Sequence, residues 1–435
     1  MPDPTHATPD APDETPDTAE EPQLPLLELA DGLPAPVESV AALAEAVADL
    51  TAGTGPIAVD AERASGYRWS ARAYLVQLRR AGSTTWLVDP IAFETAELAP
   101  LQQVMGEAEW VLHAASQDLP CLREIGLEPP SLFDTELAAR LLGYPRVGLA
   151  ALVEALCERR MRKEHSAADW STRPLPESWL EYAALDVEVL VEIRHRLAAE
   201  LEEAGKAQWA QEEFAHTLAH RPVPRTDPWR RTSGMHKVRG RRSIAAVREL
   251  WEERNAIAQE RDVTPGRIIP DASIVAAATA MPADRGSLRA LRGFHGRGAD
   301  RYANRWVAAL QRARDLPESD LPPTSLRSDG PPPPRAWSDR DPEAAARLAT
   351  ARPAIAALGE DLSVPVENLM TPDVVRRTLW QPPSAGTEAD LDAALAEQLA
   401  ARDARPWQIA LVGPILREAI LRPAPPEPEE PTTTE

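Results

Sequence analysis

A short apolar run that ends in two acids restricts the folds open to this 435-residue chain more than any other feature. In "GPIAVDAERASGY", residues 55–67, small and apolar residues lead into Asp60, and Glu62 follows two positions later. Side chains alternate along a β-strand, so both carboxylates point to the same side. Two carboxylates this close resist burial unless a positive charge lies between them. The strand therefore either ends in solvent or holds a cation there.

This strand belongs to a segment of short β-type runs that helical stretches follow. The runs "PIAVDAE", "AYLVQLRR" and "TTWLVDP" are separated by turn-forming residues, which predicts an antiparallel start to a sheet. A further run, "EWVLHAA", leads into a helical stretch, and more helical stretches follow between residues 135 and 205. Strands that are followed and separated by helices predict an α/β sheet covered by helices.

Two more acids lie in this region. Asp118 follows the last β-type run and stands near the start of the next helix. Asp186 lies within the helical stretch "EYAALDVEVL", and Tyr182 precedes it by one i,i+4 step on the same helix face. Taken singly, each acid has a plain explanation, as a helix N-terminal acid or as a residue on an exposed face.

Taken with Asp60 and Glu62, these acids match the requirements of a two-metal site. Such a site holds divalent ions about 3.5–4 Å apart and needs several carboxylates that converge from different elements. Oxygen ligands suit Mg²⁺ or Mn²⁺, and the lack of clustered Cys or His argues against zinc. We therefore expect two divalent cations, Mg²⁺ or Mn²⁺, as cofactors.

Three motifs carry a family resemblance. In order and spacing, "VDAE", "VLHAASQDLPCL" and "EYAALDVEVL" resemble the exonuclease motifs of the DEDD superfamily, and a tyrosine four residues before the last aspartate marks its DEDDy branch. The stretch "DWSTRPLPESWLEYAALDV" is similar to ribonuclease D, and the resemblance extends from about residue 36 to 422. It implies a ribonuclease H-like mixed sheet flanked by helices, and 3′-to-5′ hydrolysis of RNA.

The resemblance also implies a role for each motif residue. Asp60, Glu62 and Asp186 would hold one ion, Asp60 would bridge to the second ion, and Asp118 would support that second ion. Tyr182 would orient the attacking water. A phenol with a pKa near 10 is a poor general base at neutral pH, so the metal must supply the deprotonation. The segment after Glu62 departs from the Thr- and Tyr-rich version of many relatives, which leaves open how the terminal nucleotide reaches the site.

Other residues near the motifs are candidates for structural roles or for substrate contacts. His113 either contacts the nucleic acid or is structural, and Asp134 in "FDTELAARLL" is predicted to be a helix N-cap. Asp169 and Trp170 either line the substrate groove or, for Trp170, belong to the core. Gln77 is expected to serve packing or a local hydrogen bond.

A repeat in the second half of the chain predicts a duplicated helical domain. Residues 262–282 and 362–382 align without a gap at an offset of 100, which pairs Pro265 with Pro365. The first copy resembles an HRDC domain, and the second is a diverged version. Such modules are implied to bind nucleic acid or partner proteins. The predicted fold is thus an α/β ribonuclease H-like exonuclease domain followed by two all-α HRDC-type domains.

Composition and the repeat together divide the chain. Pro-, Asp- and Glu-rich ends with few aromatic residues are typical of disordered tails, and a Pro-rich stretch is typical of a semi-rigid linker. The predicted segments are a tail at 1–35, the exonuclease domain at 36–220, a basic linker at 221–240, an HRDC domain at 241–316, a Pro-rich linker at 317–338, the second copy at 339–422 and a tail at 423–435.

Charge is strongly segregated along the chain, although the net charge is −21. Residues 1–62 contain 14 acids and no Lys or Arg, whereas residues 221–248 contain nine basic residues and only one acid, a local charge of +8. Such a patch predicts contacts to nucleic acid. The alternative is a solvated linker whose arginines reflect genome composition. The predicted RNA contacts are Arg230, Arg231, Arg241 and Arg242, continued by Arg285, Arg289, Arg292, Arg297, Arg301 and Arg305.

Composition also bounds the class of protein. No apolar run approaches the length of a membrane span. The first Lys or Arg is Arg63, so the basic start of a secretory signal is expected to be missing. Two cysteines, Cys121 and Cys157, argue against a disulfide framework. We expect a cytoplasmic monomer without a membrane partner.

The sequence therefore predicts a metal-dependent 3′-to-5′ exoribonuclease that trims RNA 3′ ends such as those of tRNA precursors. A DNA 3′-to-5′ exonuclease remains an alternative, because only contacts to the 2′-hydroxyl would distinguish the two substrates. A catalytically silent RNA-binding protein is a further alternative. The complete set Asp60, Glu62, Asp118, Tyr182 and Asp186 weighs against it.

Overall fold

The structure is a computed structural model that describes residues 24–162, 167–296, 300–325, 330–384 and 386–424. Most of the predicted tails, part of the Pro-rich linker and Arg297 therefore lie outside the described residues. Among the residues that are described, no helix combines the length and the apolar character needed to span a bilayer.

A six-stranded mixed sheet forms the centre of the predicted exonuclease domain, with strand order β1-β4-β3-β2-β5-β6. The strands are β1 Pro36–Val37, β2 Thr54–Arg63, β3 Ala73–Ala81, β4 Trp86–Val88, β5 Trp110–Leu112 and β6 Leu132–Asp134. The predicted antiparallel start is confirmed, because β2 pairs with β3 and β3 with β4 in that sense. Strands β5 and β6 then extend the sheet in parallel from β2.

Among the described residues, eight α-helices accompany this sheet. They are α1 Val40–Ala52, α2 Ala99–Met105, α3 Leu119–Glu124, α4 Thr135–Leu142, α5 Leu149–Cys157, α6 Glu177–Glu188, α7 Leu190–Glu203 and α8 Ala207–Ala219. The helical stretch 176–205 is divided, because Val189 leaves helical geometry at φ −114° and ψ 7°. Helix α6 buries the small residues Ala183 and Ala184 in a cluster with Leu75 and Leu87 of the sheet. This close approach brings Asp186 to the end of β2.

The HRDC domain has a hydrophobic core of its own. Its helices are α9 Arg241–Arg261, α10 Pro265–Ile268, α11 Asp271–Ala280, α12 Arg285–Arg289 and α13 Ala303–Asp315. Trp229, Phe294 and Trp306 belong to this core, together with aliphatic residues of α9 and α13. The predicted all-α character of this part is confirmed.

The C-terminal helical domain instead shares one core with the exonuclease domain. Its helices are α14 Trp337–Arg340, α15 Pro342–Leu362, α16 Val366–Leu369, α17 Pro372–Trp380, α18 Glu388–Ala400 and α19 Pro406–Leu421. Trp209 of α8 stacks on Trp407 of α19, with ring centroids 5.0 Å apart. The Trp407 indole also donates to Glu213 at 2.8 Å. Lys206 Nζ donates to the carbonyl oxygens of Leu141 and Leu362, one on each side of the boundary, at 2.7 and 2.6 Å.

The repeat is present in the structure, but its predicted register is wrong by one residue. Helices α9 to α11 and α15 to α17 follow each other at an offset of 101 rather than 100, as do the left-handed residues Asp262 and Ser363 that end α9 and α15. The predicted register of 100 residues aligns Pro265 with Pro365, but these prolines occupy different positions in the two helices. Pro265 is the first residue of α10, whereas Pro365 is the N-cap of α16, and proline is compatible with either position.

The described end of the N-terminal segment is held against the exonuclease domain. Its composition predicts disorder, yet the backbone around Leu26 pairs with Arg160 as an isolated β-bridge. The Ala30 N–H donates to the Glu188 carboxylate at 3.1 Å, and Asp31 pairs with Arg79 at 2.9 Å. These long-range contacts fix residues that local composition alone would leave mobile.

The shared core yields a stability prediction. A Cβ at Gly143 would lie 2.5 Å from the Ser363 carbonyl oxygen, and its φ is +78°, whereas Gly205 has φ +67° and nothing within 4 Å. Gly205→Ala should cost only the left-handed strain, about 1–2 kcal/mol. Gly143→Ala should add the clash with the C-terminal domain, about 1–3 kcal/mol more. Urea unfolding of both variants measures the difference, and equal losses of stability would contradict a tight boundary at Gly143.

Candidate active site

Three carboxylates converge where β2 meets α6. One oxygen each from Asp60, Glu62 and Asp186 lies within 4.8 Å of the others. Asp60 and Glu62 share one face of β2, as strand alternation predicts, and Asp186 reaches them from the buried side of α6. These residues line a pocket of about 230 Å³, which we call the acid pocket. The sequence motifs thus meet in space.

Asp118 is the fourth acid that lines the pocket. It follows the short turn Ala115–Gln117 and is the N-cap residue of α3. Its carboxylate is not within the three-acid group. It lies 3.4 Å from the guanidinium of Arg63.

Asp134 holds the turn that presents Asp118. As predicted, it is the N-cap of α4, where its carboxylate accepts from the backbone N–H groups of Glu136 and Leu137. The same carboxylate accepts from the N–H groups of Ala114 and Ala115 at 3.1 and 2.8 Å. Ala114 has φ 59°, a left-handed conformation that costs a non-glycine residue energy. These bonds offset that cost, and local sequence offers no sign of a contact between residues 20 positions apart.

Burial, followed by like-charge crowding, raises the pKa values of the pocket acids. Burial and then repulsion from Asp60, Asp186 and Asp118 raise the pKa of Glu62 to about 10. Burial, followed by the charge of Asp60, raises the pKa of Asp186 well above its ordinary value. Burial and Asp60 have the same effect on the pKa of Asp118. In the absence of a cation, Glu62 therefore retains its proton at neutral pH.

The donor set fits a divalent cation. All its ligand atoms are carboxylate oxygens, and the described residues that line the pocket include no cysteine. Hard oxygen donors are the ligands of Mg²⁺ and Mn²⁺ in proteins. A bound cation would also offset the burial and the repulsion that raise these pKa values.

Tyr182 lies one helical turn before Asp186 and hydrogen-bonds to its carboxylate. Burial, followed by the charges of Asp186, Glu62 and Asp60, raises the pKa of the phenol, so it stays protonated. Its ring packs 6.4 Å from that of Trp170, which is fully buried. Of the two readings for Trp170, the structure supports the core.

His113 lies in the wall of the pocket. Its Nδ1 is 2.9 Å from the Thr135 hydroxyl, and burial lowers its pKa to about 4. A neutral, hydrogen-bonded imidazole favours the structural reading over a phosphate contact. The Asp169 carboxylate accepts a hydrogen bond from the hydroxyl of Ser171.

Comparison with known proteins identifies the family. Residues 34–202 match the 3′-5′ exonuclease family, residues 243–310 the HRDC domain, and residues 330–420 the 3′ to 5′ exonuclease C-terminal domain. Ribonuclease D of Granulibacter bethesdensis is 34% identical over 319 residues, which cover 70% of this chain and 78% of that protein. The chain belongs to the ribonuclease D family. The predicted family, fold class and 3′-to-5′ exoribonuclease activity are thereby confirmed.

Solved structures agree with this assignment to the ribonuclease D family. A crystal structure of a protein from Bifidobacterium adolescentis aligns with a TM-score of 0.83 at 36% identity, over 91% of this chain and 99% of that chain. Escherichia coli RNase D aligns with a TM-score of 0.63 at 25% identity, over 84% of this chain and 98% of that chain. Exonucleases of the DEDD type use divalent metal ions, and the acid cluster is in keeping with that.

The loop after Glu62 contacts the HRDC domain. Residues 64–72 receive the C-terminal end of α9 and the start of α10. The contacts are Trp69 Nε1 to Asn255 Oδ1 (2.9 Å), Ser70 N to Asp262 Oδ1 (2.9 Å), Thr264 N to Tyr67 O (3.0 Å) and Arg267 over the Tyr67 ring (4.5 Å). The HRDC domain therefore holds a loop that begins directly beside the acid pocket.

Three of the four arginines predicted to contact RNA have partners within the enzyme. Arg230 pairs with Asp227 at 3.0 Å and lies over the Trp229 ring. Arg241 donates to the carbonyls of the linker after α13, and Arg242 donates to carbonyls at the C-terminal end of α13. Among the described residues, Arg231 is exposed and its guanidinium has no hydrogen-bond or ion-pair partner.

The arginines of the HRDC domain divide in the same way. Arg285 and Arg289 both pair with Asp300, and Arg305 pairs with glutamates of α9. Arg301 lies over the Tyr302 ring, whereas Arg292 is exposed.

The raised pKa values predict how pH affects the metal-free enzyme. Glu62 has a pKa raised from 4.5 to about 10, so the folded state keeps a proton that the unfolded state releases. Its contribution to stability is full below the unfolded pKa and is lost as pH rises through the folded value. In EDTA, the melting temperature should fall between about pH 5 and pH 9.

Divalent ions should reverse this fall, because a cation replaces the proton. Thermal unfolding in EDTA and in excess Mg²⁺ tests both statements, and Glu62→Gln should flatten the EDTA profile. A melting temperature in EDTA that rises with pH over this range would contradict the assignment.

Proposed function

We propose that this enzyme trims the 3′ ends of RNA, such as tRNA precursors, by hydrolysis that depends on two divalent cations, Mg²⁺ or Mn²⁺. The observation that carries the proposal is the convergence of Asp60, Glu62 and Asp186 within 4.8 Å. Asp60, Glu62 and Asp186 would hold one ion, Asp60 would be shared with the second, and Asp118 would support the second. When bound, the ions would activate water and stabilise the attacking and leaving oxygens of an in-line displacement.

Side chains of the protein would position the attacking water and the metal ligands. Tyr182 stays protonated, so its hydroxyl would position the attacking water by a hydrogen bond and would not remove a proton. Asp134 keeps Asp118 in place through the Ala114 turn. Tyr182 reaches the pocket from the same helix face as Asp186, so one helix sets both the ligand and the water contact.

The choice of substrate rests on the family and on one neighbour. Escherichia coli RNase D is described as an exoribonuclease involved in structured RNA processing. By analogy, structured precursors with single-stranded 3′ ends are the substrates that we propose here. We also propose a monomer in the cytoplasm, where such precursors are made.

We expect the side chains that bind the RNA backbone to lie outside the acid pocket, because carboxylates repel phosphate groups. The start of the basic linker lies near the turn before Asp118, because Pro222 and Ser116 line the same cavity. A cavity of about 260 Å³ next to the Asp118 turn is lined by Ser116, Arg123, His216, His220 and Pro222. We propose that the exposed side chains of the linker, rather than those with internal partners, contact the RNA backbone. These are Arg225, Arg231 and Lys237, which have no side-chain partner among the described residues.

Two substitutions in the pocket test the mechanism. Asp60→Asn should abolish hydrolysis and weaken Mn²⁺ binding, because it removes the proposed bridging ligand. Tyr182→Phe should slow hydrolysis by roughly 10–1,000-fold, the scale expected when one positioning hydrogen bond is removed, and leave Mn²⁺ affinity unchanged. Single-turnover rates and calorimetry measure the two effects. Wild-type activity in folded Asp60→Asn would refute the metal site, and a wild-type rate in Tyr182→Phe would refute only the role of the tyrosine.

The same assay decides the substrate. The substrates are matched RNA and DNA oligomers with 5′ labels and a tRNA with an extended 3′ end. The enzyme should shorten the RNA substrates from the 3′ end faster than it shortens the DNA. Faster digestion of DNA would favour the alternative of a DNA exonuclease.

A second experiment tests the proposed contacts to the RNA backbone. Removal of one side chain that binds a phosphate should reduce the slope of log affinity against log salt by about 0.7 for a single strand. Arg225→Gln, Arg231→Gln and Lys237→Gln together should therefore reduce it by about 2, with little change in melting temperature. The matched triple of Arg230, Arg241 and Arg242 to Gln removes the same charge, but should mainly lower the melting temperature. Equal salt slopes for the first triple and the wild type would exclude the linker as the site of these contacts.

A further inference from the structure

Arg63 is the last residue of β2 and directly follows Glu62. Strict strand alternation would send its side chain to the face opposite that of Glu62. The pairing with β3 is irregular between Glu62 and Arg63, and such irregularities re-aim side chains beside active sites. As a result, the guanidinium reaches Asp118 at 3.4 Å and lines the acid pocket.

This arginine is the only Lys or Arg among the described residues that line the acid pocket. Its charge acts on more than its direct partner, because it favours the ionised forms of Asp60, Glu62 and Asp118 alike. The Asp118 side chain is 8% exposed and that of Arg63 is 28% exposed. The acid is therefore fixed in the wall, whereas the arginine has room to move.

We propose that Arg63 is a resident counter-cation of the acid pocket, which occupies Asp118 in the metal-free enzyme and competes with the divalent ion that Asp118 would support. The inference rests on the proposed metal site and adds a residue that limits its affinity. The carboxylate of Asp118 cannot serve the guanidinium and an ion fully at the same time. Loading of that ion therefore requires Arg63 to give up its ion pair.

Competition of this kind has two opposite effects that one substitution should separate. Without metal, Arg63 offsets the repulsion among the carboxylates and stabilises the fold. With metal, its charge opposes the incoming ion. A single and a double positive charge about 6 Å apart in a water-like medium repel by an energy that corresponds to about tenfold in Kd.

The test is Arg63→Gln, studied by Mn²⁺ calorimetry and by thermal unfolding in EDTA and in Mn²⁺. The variant should melt at a lower temperature than the wild type in EDTA, and it should bind Mn²⁺ about tenfold more tightly at the weaker site. The rise in melting temperature on addition of Mn²⁺ should consequently be larger than in the wild type. Arg63→Lys keeps the charge and should stay close to the wild type in both measurements.

Arg72→Gln is the matched control. It removes the same charge from the same loop, but Arg72 is exposed, lies over the Tyr74 ring at 5.0 Å and does not line the acid pocket. Its Mn²⁺ affinity should equal that of the wild type. Arg63→Met, which keeps the aliphatic stem, replaces the Gln variant if that variant does not fold.

The outcomes are distinct. Mn²⁺ affinity in Arg63→Gln that is equal to or weaker than that of the wild type overturns the inference and leaves the metal site intact. Absence of saturable Mn²⁺ binding by the wild type itself overturns the proposed site, and the inference with it.

Discussion

Repulsion among four carboxylates is the constraint around which the exonuclease domain is built. Asp60, Glu62, Asp118 and Asp186 come from three separate elements, and the packing of these elements keeps the acids together against their mutual charge. Small residues on α6 permit its close approach to the sheet, and the Asp134 clamp fixes the turn before α3. The stability of the fold thus holds in place a charge distribution that a metal-free protein would avoid, a usual property of catalytic sites.

Much of this arrangement is readable from the sequence because it is local. Alternation along β2 places Asp60 and Glu62 on one face, and the i,i+4 step places Tyr182 beside Asp186. The capping role of Asp134 follows from its place before a helical run. The meeting of the motifs across the fold is not local. Only the family resemblance predicts it, and the packing of α6 on β2 supplies the physical reason.

Features that depend on distant partners are not readable from the sequence. The contact of Arg63 with Asp118 depends on an irregularity in strand pairing, and the residue types at that position do not predict it. Three residues of β6 form a strand only because β5 offers an edge. An arginine such as Arg242 looks the same in sequence whether it faces RNA or the carbonyls of α13. The one-residue error in the repeat has a similar origin, since proline is accepted at two adjacent positions of a helix start.

The shared core also has a consequence for synthesis of the chain on the ribosome. The Trp407 indole bonds to Glu213, 194 residues earlier, and the HRDC domain with its separate core lies between them. At about 5–20 residues per second, translation of that interval takes roughly 10–40 s. During this time the exonuclease domain has left the ribosome, but the C-terminal domain that packs against Trp209 has not yet been made. The HRDC domain can complete its own core first, so the order of folding differs from the order of the domains along the chain.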